Sequence, residues 1–303
     1  MALSRWTDNS DNDMNQIIEN MLNYQEWHTP EKDPLTNENL NFSVSKSFAE
    51  NKEMIINGST LHYNYLKYEY ERVRPGEEEN ELRSSRIYPL SGFVIIYTDG
   101  VKTQYIINRS GNAFTKTILR KLNDYSGKLE VTENPFKISE DLFIWMISQV
   151  LNEGDESIDE DTVIYLKQII GFKGATTDKL ATVIGSGNRI MNLLSTLAFL
   201  FENEKVTYIK PIVEYENDTI EFSMDINGTI DIDLESYVGD FMMDPEEERE
   251  AKVILKTSLE ILPKIITNYY LDRENEVWSD SIRKEFFRGI GEKIQYKIDE
   301  LTS

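Results

Sequence analysis

Between Val206 and Glu235 the chain alternates apolar and acidic positions with a period of two. Ile220, Phe222 and Met224 interleave with Glu221, Ser223 and Asp225, and Ile230, Ile232 and Leu234 interleave with Asp231, Asp233 and Glu235. Successive side chains of a strand point to opposite faces, so the pattern predicts three consecutive antiparallel strands, 206–215, 219–225 and 229–235, with one buried face and one acidic face. A two-residue turn at Asn217-Asp218 would set Tyr215 opposite Ile220 and Val213 opposite Phe222. At the next turn a two-residue loop would place Met224 against Asp231. A three-residue loop with Gly228 in the left-handed region is therefore expected, pairing Phe222 with Ile232 and Ile220 with Leu234. The outer face then carries Glu214, Glu221 and Asp233 on one rung, Ile212, Ser223 and Asp231 on the next, and Lys210, Asp225 and Thr229 on the third.

Elsewhere the pattern changes period. Residues 53–109 read mostly as strands, with a hairpin signal at Asn57-Gly58 and a second at Asp99-Gly100 that would set Val94 against Tyr105 and Tyr97 against Lys102. Helical spacing marks 14–24, 112–123, 139–151, 188–201 and 279–301. Asp244-Pro245-Glu246-Glu247 is a helix start, an acid followed by proline at the first helical position, and that helix is expected to reach Tyr270 with a bend at Pro263. Residues 162–170 fit either a helix or a buried strand. The fold class expected is α+β, antiparallel sheets packed with helices in two domains and a helical C-terminus. The divisions expected are an N-terminal helix and loop extension (1–50), an α+β domain (51–151), an acidic linker (152–161) and a second α+β domain (162–303).

Charge adds to this picture. Between Glu202 and Glu250 sixteen acids face three bases, so this segment holds −13 of the total formal charge of −22. Like charges directly opposed on a sheet lie ~5 Å apart, which costs ~0.8 kcal/mol in water and ~3 kcal/mol at an effective dielectric of ~20. A fully wet face tolerates that; a partly enclosed one calls for something positive. Conversely, Lys102, Arg109, Lys116, Arg120, Lys121 and Lys128 oppose only Asp124, an island of +5.

The chain has no cysteine and two histidines, His28 and His62, both read as structural. Thiolate chemistry, disulfides and histidine-rich metal or nucleophile sites are excluded, and a reducing cytoplasmic setting is expected. No apolar run approaches the ~20 residues of a membrane-spanning helix. Gly174 to Lys179 and Gly185 to Arg189 are glycine turns that could hold an anion at a helix start, but neither fits a phosphate-binding motif.

The expectation is thus a binding or regulatory protein rather than an enzyme. It would use Glu214, Glu221, Asp225, Asp231, Asp233 and Glu235 to dock a basic protein surface, such as one that handles nucleic acid, and would need no cofactor. One alternative is a divalent-metal-dependent hydrolase or nuclease, with Glu214, Glu221, Asp231 and Asp233 on Mg²⁺ or Mn²⁺. Another is direct nucleic-acid contact through Arg109, Lys116, Arg120, Lys121 and Arg189. The C-terminal stripe of Ile282, Phe286, Phe287, Ile290, Ile294, Ile298 and Leu301 fits a core face or a homo-oligomer seam equally well.

Overall fold

The computed structural model describes residues 2–127, 129–153, 157–158, 164–175, 182–187 and 205–302. The protein is α+β, and the chain divides into two compact units, Met1–Pro135 and Phe136–Ser303. The expected helix at 188–201, the turn bearing Arg189 and most of the acidic run 152–161 lie outside the described residues.

The first unit contains β1 (Ala2–Asp8), α1 (Met14–Leu22), α2 (Tyr24–Trp27), β2 (Phe42–Lys46), β3 (Lys52–Ile56), β4 (Ser59–Val73), α3 (Arg83–Arg86), β5 (Ile87–Thr98), β6 (Thr103–Ile107), α4 (Ala113–Leu122) and β7 (Val131–Glu133). Its strands are antiparallel in the order β2-β4-β5-β6-β1, with β3 on β4 and β7 on β1. One face of this sheet, including Phe42, Val44, Leu66, Tyr68, Tyr70, Val94, Ile96, Tyr105 and Ile107, is covered by Ile17, Ile18 and Met21 of α1 and Ile118, Leu119 and Leu122 of α4. Each such aliphatic side chain contributes roughly 1.5–3 kcal/mol by leaving water. The Asn57-Gly58 hairpin forms as expected, both residues having positive φ (48° and 75°) and Ile56 facing Ser59. Asn112 caps α4 by accepting from the Phe114 and Thr115 amides.

Two expectations for this unit change. Residues 1–50 are no extension: β1 pairs with both β6 and β7, and α1 covers the core. β1 shows no alternation in sequence because its two large apolar residues, Leu3 and Trp6, sit three apart and so on opposite faces. In the β5–β6 hairpin Val94 faces Ile107 and Tyr97 faces Gln104, so the loop spans Asp99 to Lys102 rather than two residues. The loop between α2 and β2 is pinned by a buried pair. Arg86 grips Asp33 through two hydrogen bonds of 2.7 Å, and the same carboxylate caps the Leu35 and Thr36 amides.

The second unit contains α5 (Glu140–Glu153), β8 (Ile164–Ala175), β9 (Thr182–Ser186), β10 (Val206–Tyr215), β11 (Asp218–Asp225), β12 (Ile230–Val238), α6 (Glu246–Lys256), a π-helical turn (Thr257–Ile261), α7 (Leu262–Glu274) and α8 (Asp280–Thr302). The division falls before α5 rather than in 152–161, because the apolar stripe of α5 packs on β8 and β10. Residues 164–170 resolve as strand. The sheet order is β12-β11-β10-β8-β9, all antiparallel. At the proline the helix changes its hydrogen-bond pattern: Pro263 has no amide proton to continue the ladder, and a π turn directly precedes α7. In α8, Phe286, Phe287 and Ile290 are buried and belong to the core, whereas Ile282 and Ile298 of the same stripe are exposed. Among the described residues no helix is long and apolar enough to cross a membrane.

Candidate functional site

β10, β11 and β12 turn Val213, Ile220, Phe222, Met224, Ile230 and Ile232 inward and the acidic set outward. The three-residue loop forms as its sequence requires: Phe222 faces Ile232, Glu221 faces Asp233, Ser223 faces Asp231, and Gly228 adopts φ 81°. Asp225 shapes this loop by accepting from the Asn227 and Thr229 amides.

The first turn differs from the expected one. Tyr215 faces Asp218 and Val213 faces Ile220, so the corner residues are Glu216 and Asn217. Asp218 is drawn into the interior, where its carboxylate meets the Lys256 ammonium. That long-range pair overrides the turn preference of Asp218 and shifts β10 by two residues against β11. The expected pairing of Ile220 with Leu234 is also absent, because the register slips between Thr219 and Glu221 and brings Thr219 opposite Val238.

The shift rebuilds the rung. Ile212, not Glu214, lies opposite Glu221, and Glu214 faces Thr219 instead, with Lys167 at 3.7 Å. Lys210 now reaches across: its ammonium contacts Glu221 and lies 3.7 Å from Asp233. The side chains of Lys210, Glu221 and Asp233 are 30%, 19% and 38% exposed, so the face is half-enclosed, the condition under which bare carboxylates would be costly. The positive group required is a residue of the sheet itself. Burial alone would lower the Lys210 pKa, but the Glu221 hydrogen bond and charge outweigh it, and the ammonium titrates above an ordinary lysine.

The four carboxylates considered as metal ligands do not converge. Glu221 and Asp233 share Lys210, Asp231 lies on the next rung, and Glu214 pairs with Lys167. Among the described residues no group of three or more acidic or histidine side chains is placed to hold a metal ion. Of the acids expected to meet a partner, Glu235 is exposed, in the second half of β12.

The basic island is largely occupied by internal bonds. Arg109 donates to the Tyr68 hydroxyl (2.8 Å) and the Ser91 carbonyl (3.1 Å), and Arg120 to the carbonyls of Tyr125 and Ser126. Lys121 pairs with Glu31 at 2.6 Å and sits over the Tyr70 ring. Lys116 is half-buried on α4. Both histidines have structural surroundings: His28 stacks on Phe42 at 4.1 Å, and His62 meets Glu53 on the neighbouring strand at 3.3 Å. A cleft of about 730 Å³ in the first unit is lined by Asp8, Ser10, Asp13, Asn51, His62 and Lys102. The Asp8 carboxylate there is already taken by Tyr105, Tyr125 and Ser10.

Sequence reasoning missed a second network, built around Asp218. Its oxygens accept from the Tyr237 hydroxyl, the Asp240 amide (3.0 Å) and Lys256. Lys256 also donates to Glu216 at 3.2 Å and lies over the Tyr215 ring at 5.1 Å. Tyr215 in turn donates to Glu260 of the π turn at 2.9 Å. Burial disfavours the charged Lys256, yet the carboxylates of Asp218 and Glu216 prevail and raise its pKa. Burial and the adjacent Asp218 both push the Tyr237 hydroxyl upward. The visible signal was slight: Phe241-Met242-Met243, an apolar triplet outside any alternation, followed by the helix start at Asp244-Pro245.

No known protein family matches this chain, and no curated protein matches it either.

Proposed function

We propose that the second unit is a docking module for a basic surface on another protein and acts by binding rather than by covalent chemistry. The observation that carries this reading is a surplus of acid on an ordered face. Glu214, Glu221, Asp225, Asp231, Asp233 and Glu235 stand on fixed strands and their turns, against Lys167 and Lys210 as the cations paired with them. Internal pairing lowers the self-repulsion of the face without cancelling its sign. A fixed anionic surface accelerates encounter with a cationic partner and excludes acidic ones. A protein that itself handles nucleic acid is one class with the required basic surface, and the lack of cysteine supports a reducing compartment such as the cytoplasm.

The test compares tagged full-length protein with the variant Glu221→Gln, Asp231→Asn, Asp233→Asn in native-host lysate at low and high salt. A basic protein retained by wild type, shed by salt and lost by the variant supports the reading. Equal retention by both baits refutes it, provided both unfold at the same temperature.

A further inference from the structure

Resting on that docking reading, we infer that its anchor is the loop 238–244, a pre-organised methionine knuckle that enters an apolar pocket rimmed by basic residues on the partner protein. Met243 is 95% exposed, Met242 45% and Val238 59%, three apolar side chains in water within six residues.

This exposure does not reflect a slack loop. The Asp240 amide donates to Asp218 (3.0 Å) and the Phe241 amide to the Tyr237 hydroxyl (3.1 Å). Two tight turns follow, Met242 N to Gly239 O at 3.2 Å and Asp244 N to Phe241 O at 3.1 Å. Asp244 is held by Lys252 at 2.8 Å. The inward positions are filled: Phe241 stacks on Tyr237, with the Lys252 and Lys256 ammonium groups 5.5 and 5.7 Å from its ring. Gly239 admits no side chain, since a Cβ there would lie 1.9 Å from an Asp218 oxygen. The held backbone leaves both methionines facing water. A buried ion pair is a poor source of stability but a good way to specify one backbone conformation. Here that conformation presents two polarisable, adaptable side chains whose ordering cost on binding is reduced in advance.

The partner's chemistry follows from the rim. From Glu235 to Glu247 there are five acids and no base, and Glu235, Asp240 and Glu246 are exposed around the knuckle. A complementary surface is an apolar pocket bordered by lysine or arginine. A second copy of this chain, at a net charge of −22, is the wrong sign.

The test places a photo-reactive benzophenone side chain at position 243 of the full chain, irradiates it in native-host lysate and sequences the cross-linked peptides. Adducts are expected on apolar residues flanked by lysine or arginine in one partner. Their yield should fall about tenfold when Glu235→Gln, Asp240→Asn and Glu246→Gln are combined. The inference is overturned by no adduct, by adducts to a second copy, or by the same adducts from a probe at exposed Leu82 of the first unit. Two retention variants separate it from the sheet reading. A partner kept by Met242→Ser, Met243→Ser but lost by the Glu221, Asp231, Asp233 amide variant leaves the sheet and removes the knuckle. A partner lost only by the methionine variant supports the knuckle and removes the sheet. Loss by both supports both, and loss by neither removes both.

Discussion

Helix α4 of the first unit and the β10–β12 sheet of the second each carry a local excess of one charge, and each looks in sequence like a contact surface. In the structure they diverge. The cations around α4 hold a tyrosine hydroxyl, backbone carbonyls, an aromatic ring and Glu31. The acids of the sheet take up Lys210 and Lys167 and still outnumber them. The cause is global: with 32 bases against 54 acids, a cation finds an internal partner readily, whereas many carboxylates must go without. In such a chain a local excess is informative when its sign is the one in overall surplus.

The largest effect is expected from Lys256→Met. It leaves Asp218 buried with no counter-charge, and urea unfolding should report a loss of about 3 kcal/mol. Because the folded Lys256 pKa is raised, its contribution is complete below the ordinary lysine value and is lost as pH rises through the folded one. The wild type should therefore weaken at strongly alkaline pH, and the variant should lack that component. The corresponding pair in the first unit titrates at the opposite end. The Arg86 hydrogen bonds hold Asp33 well below the usual carboxylate range, so this contribution is present above the unfolded pKa of about 4 and is lost as pH falls through the folded value. Arg86→Met should flatten the acid limb of a stability–pH curve; an unchanged limb would show that the pair does not link to protonation.

The same contrast explains what could be read from the sequence. Features set by neighbours in the chain were legible: the Asn57-Gly58 hairpin and the Gly228 loop that places Glu221 opposite Asp233 and Ser223 opposite Asp231. Features set across the chain were not. Asp218 is a good turn residue that Lys256, 38 positions away, pulls out of the turn, and Glu214 leaves the rung as a consequence. β1 was invisible because Leu3 and Trp6 fall out of phase, and the unit boundary because the acidic run 152–161 is more conspicuous than Pro135-Phe136. The methionine knuckle breaks the alternation that made its surroundings readable.

Lys210→Met is the next smaller step. It leaves Glu221 and Asp233 opposed across the sheet, with an expected loss of about 1 kcal/mol at low ionic strength that added monovalent salt restores. The same variant should bind a basic partner more tightly, since stability and affinity change in opposite directions only if the face is a docking surface. Weaker binding would place Lys210 inside the contact.

Lys121→Gln should have the smallest effect, under about 1 kcal/mol, although its ion pair at 2.6 Å is short. Glu31 is half exposed and belongs to a loop, so it returns to water once its partner is gone. Glu221 and Asp233 have no such exit, because the hydrogen bonds of β11 and β12 fix the distance between them. The difference between the two substitutions therefore measures backbone constraint rather than ion-pair length. If Lys121→Gln proved as costly as Lys210→Met, the packing of the lysine stem over Tyr70 would be the cause, and Lys121→Met, which keeps most of that stem and loses the charge, should recover most of the loss.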